Sequence, residues 1–133
     1  MRRRAISLVV AVLVALLAVG GIALAETLNG GPGDNRLIGS NGRDQISGGG
    51  GDDFIKGLRS RDVLNGGAGN DTIIAGPRHE SALDTVTGGK GNDRIRVRNR
   101  PAAKDVVDCG SGFDRVRADR KDVLSGCNRV TRR

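Results

Sequence analysis

Apolar residues follow two unlike patterns along this chain. Behind Arg2, Arg3 and Arg4 lies an apolar run from Ala5 to Val19, closed by Ala23-Leu24-Ala25. Beyond residue 30 the apolar positions thin to single aliphatic residues in a nine-residue step. They are Leu37, Ile46, Ile55, Leu64, Ile73, Val86, Ile95, Val107, Val116 and Leu124. One aliphatic side chain between mostly polar neighbours suits the middle of a three-residue strand, pointing inward. So short a segment cannot be a helix. A unit that buries one side chain cannot fold alone, so the units must stack to make a core.

The nine-residue units themselves fit G-G-x-G-x-D-x-U-x, where U is aliphatic. Segments 48–56 (GGGGDDFIK), 66–74 (GGAGNDTII) and 88–96 (GGKGNDRIR) fit throughout. Segment 30–38 (GGPGDNRLI) departs at Asn35, and 109–117 (CGSGFDRVR) at Cys109. Weaker copies begin at 39, 57, 79, 100 and 117, with extra residues at 75–78 and 97–99. The sixth places read Asn35, Asp44, Asp53, Asp62, Asp71, Asp84, Asp93, Asp105, Asp114 and Asp122. Glycine at places one, two and four is expected to give the backbone a positive φ and curl its carbonyls inward. The architecture expected is all-β: a right-handed parallel β-roll, a β-solenoid of about ten nonapeptide units, two per coil.

With these repeats the chain resembles the hemolysin-type (repeats-in-toxin) calcium-binding family, in its small secreted bacterial form. The resemblance covers about residues 29–125. It implies Ca²⁺ as the cofactor, held between the turns of successive coils by sixth-place carboxylates and by carbonyls of the glycine-rich turns. Such oxygen donors suit a hard cation that takes six to eight ligands.

The good and poor copies alternate, so two units per coil put all five glycine-complete turns on one edge. The candidate ligand groups there are Gly30, Gly31, Gly33 and Asn35; Gly48, Gly49, Gly51 and Asp53; Gly66, Gly67, Gly69 and Asp71. The stack continues through Gly88, Gly89, Gly91 and Asp93 to Gly110, Gly112 and Asp114. Up to four sites are expected, the first weakest because Asn35 offers a neutral oxygen. Asp44 and Asp62 on the other edge are weaker candidates, since their plainer role is to cap turns. Arg43, Arg59 and Arg61 also compete for their charge.

Cys109 and Cys127 lie one coil apart. Neighbouring rungs at about 4.8 Å can be bridged by a disulfide. A structural staple is the favoured reading, beside a redox or metal-binding pair. The amino-terminal pattern is that of a signal peptide over residues 1–25, cleaved before Glu26, with an uncleaved anchor as the rival. The mature domain, residues 26–133, is then expected to be secreted, extracellular or cell-wall associated, with no membrane span.

Composition narrows the function. There is no Trp or Tyr, Phe occurs twice, and the single His79 has no serine–base pattern around it. Catalysis is therefore not expected, and no aromatic platform marks a nucleic-acid binder. Charge is uneven: the chain is +7 overall, and its carboxy-terminal third is strongly basic. An alternative function follows from Arg94, Arg96, Arg98, Arg100, Arg115 and Arg117, which could bind an anionic cell-surface polymer.

Overall fold

Places seven to nine of each unit form a strand, and consecutive triplets lie in two different sheets. The computed structural model describes residues 24–77, 81–99 and 101–133. Residues 1–23 of the expected signal peptide, together with His79 and Arg100, lie outside the described residues. The strands, in chain order, are β1 (Thr27–Gly31), β2 (Arg36–Ile38), β3 (Gln45–Gly50), β4 (Phe54–Lys56), β5 (Val63–Ala68) and β6 (Thr72–Ile74). They continue with β7 (Thr85–Lys90), β8 (Arg94–Arg96), β9 (Val106–Ser111), β10 (Arg115–Ala118), β11 (Val123–Ser125) and β12 (Arg129–Arg132). Odd-numbered strands form one six-stranded sheet and even-numbered strands the other. Every pairing is parallel. The described residues contain no helix, so none is long and apolar enough to cross a membrane. The fold is an all-β parallel β-solenoid of the β-roll type.

The eighth-place residues are in register between the sheets' strands. Ile46 pairs with Leu64, Leu64 with Val86 and Val86 with Val107; opposite them, Leu37 pairs with Ile55, Ile55 with Ile73 and Ile73 with Ile95. All but Leu124 are buried, and Leu124 packs against the cluster. This is the stacking that no single unit could provide.

Three expectations are corrected. The solenoid has about six coils, not the five that ten units imply. Glu26 and Leu28 act as sixth and eighth places ahead of the first unit, and Asn128 and Val130 do so after the last. Their turns lack the glycine signature, and the final one is trimmed to Gly126-Cys127, so the repeat pattern passes over them. Next, the extra residues do not precede the even units. Ala75 and Val97 donate their N–H groups to Arg96 and Arg117 carbonyls of the next coil, at 3.0 Å each. They therefore occupy place one, and the extra residues lie within the turn. Third, within the glycine-rich turns positive φ is confined to places two and four; Gly30, Gly48, Gly66 and Gly88 at place one do not have it.

Strands of the odd-numbered sheet run on into the glycine-rich turns, which is why several reach six residues. Gly51, Gly69 and Gly91 each donate a backbone hydrogen bond of 2.8–2.9 Å to the third-place carbonyl of the next turn. The turns are thus stacked by a backbone ladder of their own. At the carboxy end Cys109 and Cys127 form a disulfide with Cα atoms 5.2 Å apart. Cys109 is fully buried at place one, so the link ties β9 to the segment after β11.

Candidate metal centre

The sixth-place side chains of the glycine-rich edge form one continuous chain of contacts. The N–H of Asn35 donates to Oδ1 of Asp53 (2.7 Å), that of Asp53 to Asp71 (2.8 Å), and that of Asp71 to Asp93 (2.9 Å). The N–H of Asp93 donates to Oδ1 of Asp114, and that of Asp114 to Oδ1 of Asn128, both at 2.9 Å. Each aspartate thus spends one oxygen on the backbone of the preceding coil. Its second oxygen is treated differently. Oδ2 of Asp53, Asp71, Asp93 and Asp114, and Oδ1 of Asn35, are buried with no hydrogen-bond partner. A buried carboxylate oxygen left in that condition is costly unless a cation meets it.

Glycine at place one keeps the space beside these oxygens open. A Cβ on Gly48 would collide with Oδ2 of Asp53 and approach the Gly66 carbonyl; one on Gly66 would meet Oδ2 of Asp71 and the Gly88 carbonyl. The same holds at Gly30 with Asn35 and Gly48, and at Gly88 with Asp93 and Cys109. A carboxylate oxygen and a carbonyl of the following turn therefore converge where any other residue would place carbon. Places two and four have a separate task. Gly31, Gly33, Gly49, Gly51, Gly67, Gly69, Gly89, Gly91, Gly110 and Gly112 all have φ in the left-handed region.

Electrostatics agree with this geometry. Burial pushes the Asp71 carboxyl up to about 6, partly opposed by the Asp53 N–H and reinforced by the Asp93, Asp53 and Asp52 charges. Asp53 and Asp93 are raised too, again chiefly by burial. No three acidic, His or Cys side chains among the described residues converge as a cluster. An ion on this edge must therefore draw on peptide carbonyls beside the carboxylates. That mixture of oxygens fits Ca²⁺.

The opposite edge has the same ladder, finished differently. Asp44 accepts the Glu26 N–H at 2.8 Å, and Asp62, Asp84, Asp105 and Asp122 accept from the preceding aspartate at 2.8–3.1 Å. Local groups then cap the second oxygen at three places: the Ser40 N–H on Asp44 (2.6 Å), the Asn99 amide on Asp105 (2.9 Å) and the Asp119 N–H on Asp122 (2.6 Å). Buried Ala75, Val97 and Ala118 fill this side of the interior with carbon. Oδ2 of Asp84 still resembles the glycine-rich edge in being buried without a hydrogen bond. Asp105 is raised to about 7, first by burial and then by the Asp84, Asp122 and Asp119 charges, against the Asp84 N–H.

One feature of the glycine-rich edge escaped the sequence reading. The repeat motif leaves place five variable, yet its side chains form an outer ladder. Asp34 accepts the Asp52 N–H and Asp52 accepts the Asn70 N–H, both at 2.7 Å; Asn70 accepts from Asn92 and Asn92 from Phe113, both at 2.8 Å. Four successive Asp or Asn residues at one repeat place were the available signal.

Comparison with known proteins adds the family. The profile of the RTX calcium-binding nonapeptide repeat, in four copies, matches residues 21–55, 47–77 and 82–97. No curated protein and no solved structure matches the chain significantly. The first matched segment includes the glycine-poor half-coil around Glu26 and Leu28. RTX nonapeptide repeats bind Ca²⁺, and the buried aspartate ladder is an oxygen site of the required kind. Taken with the stacked coils, these matches show that the chain belongs to the RTX calcium-binding nonapeptide repeat family.

Proposed function

We propose that this chain is a secreted, non-enzymatic calcium-binding protein whose folding is coupled to the metal. Ca²⁺ lies between successive turns of the glycine-rich edge in this reading. The observation that carries it is the row of buried, unpartnered Oδ2 atoms on Asp53, Asp71, Asp93 and Asp114. Those side chains, with carbonyls of the adjoining turns, hold the ions, and Asn35 provides a neutral oxygen at the first gap. Bound Ca²⁺ supplies the positive charge that offsets carboxylates stacked one coil apart. The protein's own part is to fix each Oδ1 on a backbone N–H, so that Oδ2 stays directed at the gap.

Coupling to folding follows from the same charges. Without cations the ladder buries several like charges in line, and the main regular core is one aliphatic residue per half-coil. Ligand bound only by the folded form shifts the balance by mass action. Calorimetric titration of the chain with Ca²⁺, read beside circular dichroism in chelator and in calcium, tests the proposal. A cooperative gain of β signal on adding Ca²⁺, but not Mg²⁺, is expected. An unchanged spectrum with no heat of binding would overturn the reading.

A further inference from the structure

The outer face of the even-numbered sheet carries charge that the calcium sites do not use. On β8, β10 and β12 the outward places seven and nine are occupied mainly by arginine. Arg94 is in register with Arg115 and Arg115 with Arg129, while Arg96 is in register with Arg117. Two rows of side chains result, about 7 Å apart along the strands, with a rung about every 4.8 Å along the coil axis. Between them lies a groove of about 560 Å³, whose lining includes all five arginines and no acidic or aromatic side chain.

Cations in register on neighbouring strands repel each other, so this arrangement favours an anion laid along the rows. The amino-terminal end of the same sheet is different: Arg36 there sits over the Phe54 ring, 4.7 Å from its centre. Guanidinium groups hold phosphate oxygens through paired N–H donors. We propose that this groove binds a linear polyol-phosphate polymer, lying parallel to the coil axis with its phosphates between the two arginine rows. A slim chain suits the narrow floor. Nucleic-acid bases would need stacking platforms that the groove lacks, and a membrane would present its charge as a plane rather than a thread.

The test uses the full chain in buffered, saturating free Ca²⁺ and a labelled poly(glycerol phosphate). Arg94→Gln/Arg96→Gln/Arg115→Gln/Arg117→Gln should weaken binding at least about tenfold and flatten its dependence on salt. Arg43→Gln/Arg59→Gln/Lys104→Gln/Lys121→Gln removes the same charge from exposed positions outside the groove. It should change affinity by less than about twofold. Equal weakening by both variants, or absence of binding to the unaltered chain, overturns the proposal. Tighter binding to oligodeoxythymidylate or to phosphatidylglycerol vesicles overturns the choice of ligand. If the first variant loses its calcium-dependent spectrum, Arg115→Gln alone, central in its row, should weaken binding at least about threefold. No change in that variant overturns the proposal as well.

Discussion

Asp71 has two oxygens in unlike surroundings: Oδ1 accepts the Asp53 N–H, and Oδ2 is buried without a hydrogen bond. Asp71→Asn keeps an acceptor for that N–H and removes the charge. Its expected effects therefore have opposite signs. Calcium affinity should fall by about tenfold or more, because ligand charge sets affinity in such sites. Stability in chelator should rise, because a desolvated charge is gone. Asp44→Asn, where Ser40 caps the second oxygen, should leave calcium affinity nearly unchanged. Titration and thermal melts of the two variants provide the check, and equal losses of affinity would contradict the one-edge arrangement.

Proton binding at the same residues gives a second prediction. Burial raises Asp71 to about 6 and Asp105 to about 7 from the ordinary 3.8. Between pH 4 and 7 the folded chain thus holds protons that the unfolded chain has released, and stability must decline as pH rises. Metal-free protein should accordingly melt higher near pH 4.5 than at pH 8. Calcium should reverse that order, since it competes with protons for the same oxygens. Melts across the pH range, with chelator and with calcium, measure both trends.

At the scale of the element, the two edges use one turn path with different residues. Gly67 has φ 104°, and a Cβ there would collide with the Gly49 carbonyl of the preceding coil. Gly67→Ala should destabilise the calcium-loaded protein by about 2 kcal/mol or more, from left-handed strain plus backbone overlap. Leu58 and Ser60 of the other edge hold φ of 83° and 74° without being glycine. Ser60 gains a hydrogen bond to the Asn41 carbonyl at 2.7 Å. Leu58 is the better test: Leu58→Gly should relieve left-handed strain and stabilise by about 0.5–1 kcal/mol. Chemical denaturation of these two variants would settle the pair of signs.

Across the whole molecule, the coils make each rung depend on its neighbours, and the ends matter most. At the carboxy end the Cys109–Cys127 link holds the last odd-numbered strand. The opposite end begins one half-coil earlier than the glycine pattern, where the Glu26 N–H lies 2.8 Å from Oδ1 of Asp44. Cleavage before Glu26 would keep β1 whole and turn this amide contact into an ammonium–carboxylate pair. It would also remove the Leu24 carbonyl that accepts the Ser40 hydroxyl at 2.7 Å. Amino-terminal sequencing of exported protein should therefore start at Glu26. Material retaining residues 1–25 would point to an anchored chain instead.

Periodic chemistry was legible without coordinates, because a solenoid writes its tertiary neighbours into the sequence at a fixed step. The aliphatic eighth place, the acidic sixth place and the alternation of glycine-rich units implied the core column, the parallel stacking and the gathering of glycine-rich turns on one edge. Departures from the period were not legible. Ala75 and Val97 look like inserted residues until backbone pairing puts them at place one. The halves around Glu26 and Asn128 carry no glycine signature, so only hydrogen bonds to neighbouring coils reveal them. Likewise, the letters put Asp71 and Asp105 on different edges but do not show what meets the second oxygen of each. Tertiary structure does so, because Asn99 reaches one carboxylate across an irregular turn while glycine leaves the other facing an open gap. Repetition encodes what every coil shares; where the chain breaks its own period, only the packed neighbours decide each residue's role.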